Sequence, residues 1–331
     1  MWFDVLGFLV CAVIIFFSGK KLSFYGDQIA EVTGMGKAWV GLILMAAVTS
    51  LPEMMVGISS SMVLESADLA VGDIIGSCAF NLGILTLMDL FTPKDKPLFQ
   101  NVSQSHILAA SFGIILIGMA GLGIYLNENF VLIPSIGLFA LSFAVVYLIS
   151  VRTIYRYQKV HPQIQPVSTT TSHLSLKKII LMYCIFALII IVTAFALPHF
   201  AEGIAQKTGL GQTFVGTLFL AISTSLPEIA VSLAAVRIGS TDMAVGNLLG
   251  SNLFNPFILF LDDIFYTKGY LLKDASDSHI VSIFFVILMS CVAIIGVMFP
   301  QKEKKIFMAA DTLVIFIFYT INMIILYQLS R

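Results

Sequence analysis

Long apolar stretches alternate with short polar segments along almost the whole chain. A helix that crosses a bilayer needs about 20 mostly apolar residues, and ten stretches come close to or exceed that length. The pattern therefore predicts an all-α membrane protein with ten transmembrane helices. We place these helices at residues 3–18, 38–62, 68–91, 105–125, 130–150, 178–198, 210–236, 242–265, 279–299 and 307–328.

The first apolar stretch lies where a secretory signal peptide would be found. Asp4 precedes its apolar run, and Lys20 and Lys21 follow it. A signal peptide has the reverse order of charge, with its basic residues first. We therefore predict that this segment is a retained helix whose N-terminus lies outside the cytoplasm.

The basic residues are distributed unevenly between the two ends of the predicted helices. Fourteen Lys and Arg residues fall on one side and four on the other, and cytoplasmic loops retain positive charge. We predict a multi-pass protein of the cell (inner) membrane with both termini outside the cytoplasm. The longest loop, residues 152–177, would lie inside, and its Pro162, Pro166 and polar run 168–172 are typical of a linker.

Composition agrees with a bilayer environment and excludes several functions. Of 331 residues, 58% are hydrophobic and only 11% are charged, which is more apolar than a water-soluble fold requires. The net charge of −1 and the lack of a basic cluster argue against a nucleic-acid partner. The four cysteines lie one per apolar stretch without CxxC spacing, so they indicate neither a disulfide framework nor a zinc site.

The chain contains an internal repeat with an offset of about 175 residues. The string Thr-Ser-Leu-Pro-Glu occurs at 49–53 and again at 224–228, and similar segments surround both copies. The other matching segments are 34–36 with 209–211, Gly41 with Gly216, 70–73 with 244–247, 76–81 with 250–255 and 105–107 with 278–280. We divide the chain into a first repeat (1–151), the linker (152–177) and a second repeat (178–331).

Each predicted repeat holds five helices, an odd number, so equivalent helices cross the membrane in opposite directions. Two inverted five-helix repeats with a binding site near the bilayer midplane are the architecture of many secondary transporters. The repeat therefore predicts transport by alternating access. A channel could also use inverted halves and acidic residues, and countertransport would separate the two.

The duplicated string has the composition of a cation site. Glu53 and Glu228 fall within apolar segments, where an ionised carboxylate costs several kcal/mol unless it is paired or coordinated, and the Lys and Arg residues lie in loops or at helix ends. Two such carboxylates require a bound cation or protons. The less favoured explanation is a pair of protonated, hydrogen-bonded structural carboxyls.

The prolines and hydroxyls of the string complete this argument. Pro52 and Pro227 cannot donate to the carbonyls four residues earlier, so each should kink its helix and free backbone oxygens. The side chains of Thr49, Ser50, Thr224 and Ser225 add neutral oxygens. Ca²⁺ prefers six to eight oxygen ligands in a flexible cage, so the string indicates calcium.

The third and eighth helices carry further oxygen donors. Four of them recur at matching positions of the two repeats: Ser77, Asn81, Ser251 and Asn255. Interhelical hydrogen bonding explains these residues almost as well as cation contact does. Asp73 has a neutral counterpart in Asn247, so it either adds a third negative charge or lies one turn outside the site.

Other polar residues at helix ends have simpler explanations. Asp68 and Asp242 begin helices, where capping is expected. Asp89, Asp262 and Asp263 lie near helix ends, where we expect them to be solvated. His106 and His279 open two helices at the membrane interfaces.

These motifs resemble those of the cation/calcium exchanger family, in its sodium/calcium exchanger branch, over nearly the whole chain. The family carries a G-T-S-x-P-E motif followed by G-N-x-x-G-S-N-x-x-N/D, which resembles residues 49–53 with 72–81 and 216–228 with 246–255. The resemblance implies ten helices, one calcium site with several sodium sites, and sliding of the first and sixth helices. It also implies that Glu53 and Glu228 bind Ca²⁺ and Na⁺ alternately, with the hydroxyls of residues 49, 50, 77, 224, 225 and 251 as donors.

This sequence departs from the family pattern at three positions. Asp73 and Cys78 stand where the family usually has Asn, and Asn255 stands where sodium-coupled members often have Asp. These differences leave the coupling ion open. An H⁺-coupled divalent-cation antiporter is the alternative, because clustered carboxylates in apolar surroundings can also bind and release protons.

The sequence therefore predicts a secondary-active Ca²⁺/Na⁺ antiporter that works as a monomer in membrane lipid. We expect no enzymatic activity and no cofactor, since Ca²⁺ and Na⁺ are the transported substrates. The string Val71-Gly72-Asp73 weakly suggests an intramembrane aspartyl protease. Such an enzyme needs a second aspartate, and Asn247 occupies the related position.

Overall fold

A computed structural model describes residues 2–100, 102–126, 131–133, 136–161, 175–208 and 223–329. In the first half, the helices are α1 (Trp2–Thr33), α2 (Lys37–Trp39), a π-helical turn (Val40–Met45), α3 (Ala46–Thr49), α4 (Leu51–Met62), α5 (Ala67–Phe91), α6 (Ser105–Tyr125) and α7 (Leu138–Val160). In the second half, they are α8 (Leu176–Thr208), α9 (Leu226–Arg237), α10 (Thr241–Phe265), α11 (Leu271–Asp274), α12 (His279–Met298) and α13 (Ala310–Leu329). Strands β1 (Val131–Ile133) and β2 (Ile136–Gly137) form a short antiparallel hairpin before α7.

Most of the predicted transmembrane segments are present as helices. Among the described residues, eight helices are long and apolar enough to cross a membrane, and the bent pair Lys37–Thr49 and Leu51–Met62 makes a ninth. These nine match nine of the ten predicted segments. The start of the remaining segment, 210–236, and the motif glycines at 209, 211 and 216 lie outside the described residues, but its end is helical as α9.

The first helix is much longer than predicted. It continues through Lys20 and Lys21 to Thr33 because residues beyond them, such as Leu22 and Ile29, are buried against the protein. It ends where Gly34 adopts φ of +71°, a left-handed conformation that glycine adopts readily. The predicted end at residue 18 was therefore wrong.

The fifth helix begins and ends later than predicted. Residues predicted to start it at 130 instead include the β hairpin, and Ile133 precedes Pro134, a position that disfavours helical backbone. The helix then runs from Leu138 to Val160, so the first part of the predicted linker 152–177 is helical. Residues 162–174 of that linker lie outside the described part of the chain.

The helices α5 and α10, which carry Ser77 and Asn81 and their counterparts Ser251 and Asn255, form the centre of the bundle. In the most apolar window of each helix, 78% of the residues of α10 and 67% of those of α5 are buried, compared with 17% in α13. The helix α5 packs against α4, and α10 packs against α4, α5 and α9. Of the eight long apolar helices in the described part of the chain, the two that carry Ser77, Asn81, Ser251 and Asn255 are therefore the most enclosed by protein.

The segment Lys37–Thr49, the first half of the bent pair, packs so closely on α10 that backbone atoms of the two helices are in contact. A Cβ atom added to Gly250 would lie 2.7 Å from the Cα and carbonyl carbon of Leu42, and one added to Gly246 would lie 2.9 Å from the carbonyl oxygen of Ala38. Small residues allow such contacts between membrane helices. The absence of side chains at Gly246 and Gly250 thus allows the two backbones to touch.

Asp89 and Asp263 are buried at the ends of α5 and α10, so the expectation that they are solvated was wrong. Asp89 accepts hydrogen bonds from the backbone N–H groups of Leu98 (2.9 Å) and Ala309 (2.8 Å). Asp263 accepts them from Leu271 (2.7 Å) and Gly137 (2.8 Å). Each carboxylate therefore fixes connecting segments to the end of its helix.

Asp68 and Asp242 contact the opposite repeat. Asp242 accepts a hydrogen bond from the backbone of Ser103 and lies 2.8 Å from Nε2 of the buried His106. Asp68 has the equivalent contacts with Ser276 and with His279, at 3.1 Å. These pairs tie the start of each repeat's third helix to the start of the other repeat's fourth helix.

Candidate cation site

Both Thr-Ser-Leu-Pro-Glu strings interrupt a helix at their serine. Ser50 has φ −89° and ψ 5°, Ser225 has φ −87° and ψ 5°, and a new helix begins at the next residue. In the first repeat, the two helical segments form an angle of 42°. Proline at the second position of the new helix is compatible with helical geometry there, because that N–H would have no intrahelical partner. The predicted break is therefore confirmed.

Each break places a glutamate in the first turn of the following helix. Glu53 and Glu228 are each only 1% exposed, and they are close enough to interact electrostatically. In the described part of the chain, neither forms an ion pair with Lys or Arg. Two buried acidic groups from different repeats thus lie near each other without a Lys or Arg partner among the described residues.

The serines at the breaks contact the glutamates of the opposite repeat. Ser225 Oγ lies 3.5 Å from Oε1 of Glu53, and Ser50 Oγ lies 3.5 Å from Oε1 of Glu228. Ser251 on α10 is also 3.5 Å from Oε1 of Glu228. Hydroxyl donors therefore orient one oxygen of each carboxylate.

Thr49 extends this contact network towards α10. Its hydroxyl lies 3.3 Å from Oδ1 of Asn247 and 3.5 Å from the hydroxyl of Ser251. Thr224, its counterpart, is fully buried beside Ser225. The threonines, serines and glutamates of both strings are thus all in the protein interior, as the sequence predicts.

Apart from Oδ2 of Asp73, which lies outside the central contacts, five buried oxygen atoms of the candidate residues have no hydrogen-bond partner among the described residues. They are Oε2 of Glu53, Oε2 of Glu228, Oγ of Ser77, Oδ1 of Asn81 and Oδ1 of Asn255. A buried polar atom without a partner costs free energy and requires an explanation. A set of two carboxylate and three neutral oxygens matches the ligands that Ca²⁺ prefers.

The asparagines are oriented by a network that crosses between repeats. Asn81 donates to Oδ1 of Asn252 at 3.0 Å, and Asn252 donates to the carbonyl oxygen of Cys78 at 3.1 Å. Asn255 donates to the sulfur of Cys78 at 3.7 Å. Because these amides use their N–H groups for protein contacts, the carbonyl oxygens of Asn81 and Asn255 remain available.

Cys78 and Asn252 are not among the donors predicted from the sequence, but they contact those donors. They occupy equivalent positions in the two repeats, immediately after Ser77 and Ser251. Apart from the family motif, in which Cys78 is a departure, that adjacency is the sequence signal for them. Their contacts hold donor residues in place and differ between the repeats.

Asp73 lies one turn before Ser77 on α5. It interacts electrostatically with Glu53 but does not hydrogen-bond to it. Its counterpart Asn247 does join the central network through Thr49, and it also donates to Ser232 at 3.0 Å. The structure therefore separates Asp73 from the contacts that link the two strings.

The candidate site is not a cluster of His, Cys, Asp and Glu ligands of the kind that binds transition metals. In the described ranges, no group of three or more His, Cys, Asp or Glu side chains is arranged to hold a metal ion. The donors that converge are two carboxylates together with hydroxyl and amide oxygens. Such a set favours hard cations that exchange, rather than a permanently bound transition metal.

Comparison with known proteins identifies the family pattern. The model of the family described as "Sodium/calcium exchanger protein" matches residues 3–157 and 178–325. The matched residues include both strings and both copies of the second motif.

Two curated proteins illustrate the similarity in sequence. The chain is 28% identical over 298 residues to "Inner membrane protein YrbG" of Escherichia coli (strain K12), covering 85% of this chain and 86% of that protein. It is 27% identical over 257 residues to "Putative antiporter CaxA" of Alkalimonas amylolytica, covering 75% and 76%.

Solved structures show the same fold. A structure of the sodium-calcium exchanger NCX_Mj, soaked with 2.5 mM Na⁺ and 10 mM Sr²⁺, superimposes with a TM-score of 0.75 at 20% sequence identity. The match covers 96% of this chain and 97% of the other. The arrangement of helices around the two strings is therefore that of a known transporter fold.

Proposed function

Because the chain belongs to the sodium/calcium exchanger protein family, we propose that it exchanges Ca²⁺ for Na⁺ across the membrane by alternating access. Members of this family are membrane transporters and not enzymes, and their ions are substrates. The choice of Na⁺ as the coupling ion and the assignment of the binding residues are the specific parts of this proposal.

The observation that carries the proposal is the pair Glu53 and Glu228. Each is 1% exposed, comes from a different repeat, and lacks a protein cation among the described residues. An ionised carboxylate at membrane depth costs several kcal/mol when it is uncompensated. One divalent cation neutralises both groups at once.

The partnerless oxygens define how the ion is held. Oε2 of Glu53 and Oε2 of Glu228 supply charge, and Ser77, Asn81 and Asn255 supply neutral oxygens. The hydroxyls of Ser50 and Ser225 stabilise the charged form of the glutamates by donating to their other oxygens. Water or backbone carbonyls at the helix breaks would complete the six to eight ligands of Ca²⁺.

Competition for these oxygens couples the two fluxes. Na⁺ ions can occupy the same carboxylates, but one Na⁺ leaves a net negative charge where one Ca²⁺ does not. A protein whose empty, charged site disfavours the transition between inward and outward states changes state only when it is loaded. Each transition then carries either Ca²⁺ or Na⁺.

The duplicated break supports alternating access. Ser50 and Ser225 interrupt equivalent helices with the same backbone angles, and inverted repeats around a midplane site allow either face to open. We assign the repeats to residues 1–151 and 178–331, joined by a cytoplasmic linker. Both termini would lie outside the cytoplasm, and one chain would contain the whole pathway.

The proposal is tested by ⁴⁵Ca²⁺ uptake into proteoliposomes under imposed Na⁺, K⁺ or H⁺ gradients. We expect uphill Ca²⁺ accumulation when Na⁺ is high inside and low outside, and no comparable accumulation with K⁺ or H⁺ gradients of the same size. Ca²⁺ accumulation driven only by an H⁺ gradient would show that the coupling ion is H⁺ and not Na⁺. Ca²⁺ movement that never exceeds its own gradient would indicate a channel.

A further inference from the structure

Asp262 is a buried carboxylate outside the candidate cation site. It lies on α10, seven residues after Asn255, and its side chain is fully buried. Neither carboxylate oxygen has a hydrogen-bond partner among the described residues. The sequence-based expectation that Asp262 is solvated was wrong. Since the neighbouring Asp263 is bonded to Leu271 and Gly137, the absence of partners distinguishes Asp262.

Asp73 is the second acidic group in this region. It interacts electrostatically with Asp262 and with Glu53. Its Oδ2 atom is buried and has no hydrogen-bond partner in the described part of the chain. Three carboxylate oxygens, Oδ2 of Asp73 and both oxygens of Asp262, are therefore buried without a hydrogen-bond partner in the described part of the chain.

Gly57 provides the space for the Asp262 carboxylate. It follows Glu53 by one turn on α4, and a Cβ atom at this position would lie 2.6 Å from Oδ1 and 2.8 Å from Cγ of Asp262. Contacts that short are not found for real side chains, so any larger residue would displace the carboxylate. The carboxylate of Asp262 on α10 thus occupies the space that a side chain at position 57 of α4 would fill.

The equivalent region of the other repeat is neutral and internally bonded. The offset of 175 that relates Glu53 to Glu228 relates Gly57 to Ser232, and Asn247 replaces Asp73. There the amide of Asn247 donates to Ser232 at 3.0 Å. With the offset of 174 that relates Asn81 to Asn255, the residue equivalent to Asp262 in the first repeat is the uncharged Met88. The acidic pair therefore occurs on one side of the molecule only.

Contacts between loops identify that side. Glu65 after α4 and Lys268 after α10 form an ion pair of 3.2 Å, so these helix ends lie on the same face. Gly57, Asp73 and Asp262 all lie between Glu53 and this face, which the distribution of basic residues predicts to be the outer one.

We propose that Asp73 and Asp262 form a second cation-binding site for a divalent cation, between Glu53 and the predicted outer face. Two carboxylates without a protein cation balance one divalent charge, and hard carboxylate oxygens favour Ca²⁺. Asp73 interacts electrostatically with both Asp262 and Glu53, so the second site lies near the central one. The identity of the ion rests on the proposed function, whereas the presence of a site does not.

The test is equilibrium binding of ⁴⁵Ca²⁺ to the purified full-length chain. In the background Glu53→Gln/Glu228→Gln, which removes the central site, we expect a residual, weaker site. Adding Asp262→Asn should weaken this residual binding by about tenfold or more. The control Glu65→Gln removes an exposed acid on the same face and should leave it unchanged. The absence of residual binding, or residual binding unaffected by Asp262→Asn, would overturn the proposal.

A second variant covers the case in which Asp262→Asn does not give monodisperse protein. Asp73→Asn in the same background should also reduce residual binding by about tenfold, and unchanged binding would refute the second site. A transport measurement distinguishes failure of the second site from failure of the proposed Ca²⁺/Na⁺ exchange. Asp262-dependent binding in a chain that shows no Na⁺-driven exchange would overturn only the proposed function. Exchange without such binding would overturn only the second site.

Discussion

The hydroxyl of Ser225 lies 3.5 Å from Oε1 of Glu53, so a serine of the second repeat contacts the carboxylate of the first. The reciprocal contact joins Ser50 to Glu228 at the same distance. Each half of the site is therefore completed by the other half. A change at one helix break should be felt at the glutamate that follows the other.

The first prediction concerns these cross-repeat contacts. Ser225→Ala removes a hydroxyl that donates to Glu53 and should weaken Ca²⁺ binding by about 3- to 10-fold, because a hydrogen bond to a charged group contributes about 1 kcal/mol or more. Ser50→Ala should have a similar effect through Glu228. Binding of ⁴⁵Ca²⁺ measures both. The control is Ser290→Ala, a buried serine of α12 outside the site, and equal losses in all three variants would refute the specific contacts.

The second prediction concerns the neutral residue Asn255. Its Oδ1 is a partnerless buried oxygen of the site, and Asn255→Asp would add a third carboxylate there. We expect about one additional monovalent cation to be moved per Ca²⁺, because the added charge must be balanced. The reversal potential of exchange in proteoliposomes measures this ratio.

A control for added charge is available in α13. Asn322 is also fully buried but contacts Ser282 outside the site. Asn322→Asp should therefore leave the coupling ratio unchanged. An unaltered ratio in Asn255→Asp would remove that residue from the ion pathway.

The third prediction concerns the packing of the first broken helix on α10. Gly250→Ala places a methyl group against the carbonyl oxygen of Leu42 and 2.7 Å from its Cα and carbonyl carbon, and overpacking of this kind costs about 1–3 kcal/mol. We expect a lower melting temperature and slower exchange, since this contact must hold the broken helix. Gly113→Ala is the control, because its nearest neighbour would be 3.8 Å away. Equal stability of the two variants would contradict the packing described.

The fourth prediction concerns the buried pair Asp89 and Lys304. Lys304 is 2% exposed, its Nζ lies 3.3 Å from Oδ1 of Asp89, and it also donates to the backbone carbonyl of Thr92 at 2.8 Å. Asp89→Ala leaves that ammonium group buried and should destabilise the protein by about 3–5 kcal/mol. The double variant Asp89→Leu/Lys304→Met should lose less, because no charge remains.

Thermal unfolding in detergent measures this difference. The exposed pair Glu65 and Lys268 serves as the comparison, and Glu65→Gln should leave the melting temperature nearly unchanged, because solvent screens an exposed ion pair. A double variant less stable than Asp89→Ala would show that the ion pair itself stabilises the fold.

Much of the site could be predicted because its chemistry is local. A proline next to a glutamate within an apolar helix determines both the break and the buried charge, and the duplication at Glu53 and Glu228 shows that the pattern is not accidental. Ser50 and Ser225 follow from the same string. The chemistry of the string and its duplication are enough to predict these residues.

Other features depend on contacts between distant segments. Asp262 and Asp263 are adjacent and equally close to a helix end, yet one is bonded to Leu271 and Gly137 and the other has no hydrogen-bond partner among the described residues. The pairing of Asn252 with Asn81 and Cys78 likewise joins the two repeats. No local pattern distinguishes these cases, since the partner is set by tertiary packing.

The central claim is that Glu53 and Glu228 hold one Ca²⁺ together in competition with Na⁺. Equilibrium binding of ⁴⁵Ca²⁺ to the purified chain tests it most directly, with wild type, Glu53→Gln, Glu228→Gln and the surface control Glu65→Gln side by side. We expect one tight site that Na⁺ displaces, weakened by about 100-fold or more by either glutamate substitution and unchanged in the control. Tight, Na⁺-sensitive binding that survives both Glu53→Gln and Glu228→Gln would contradict it.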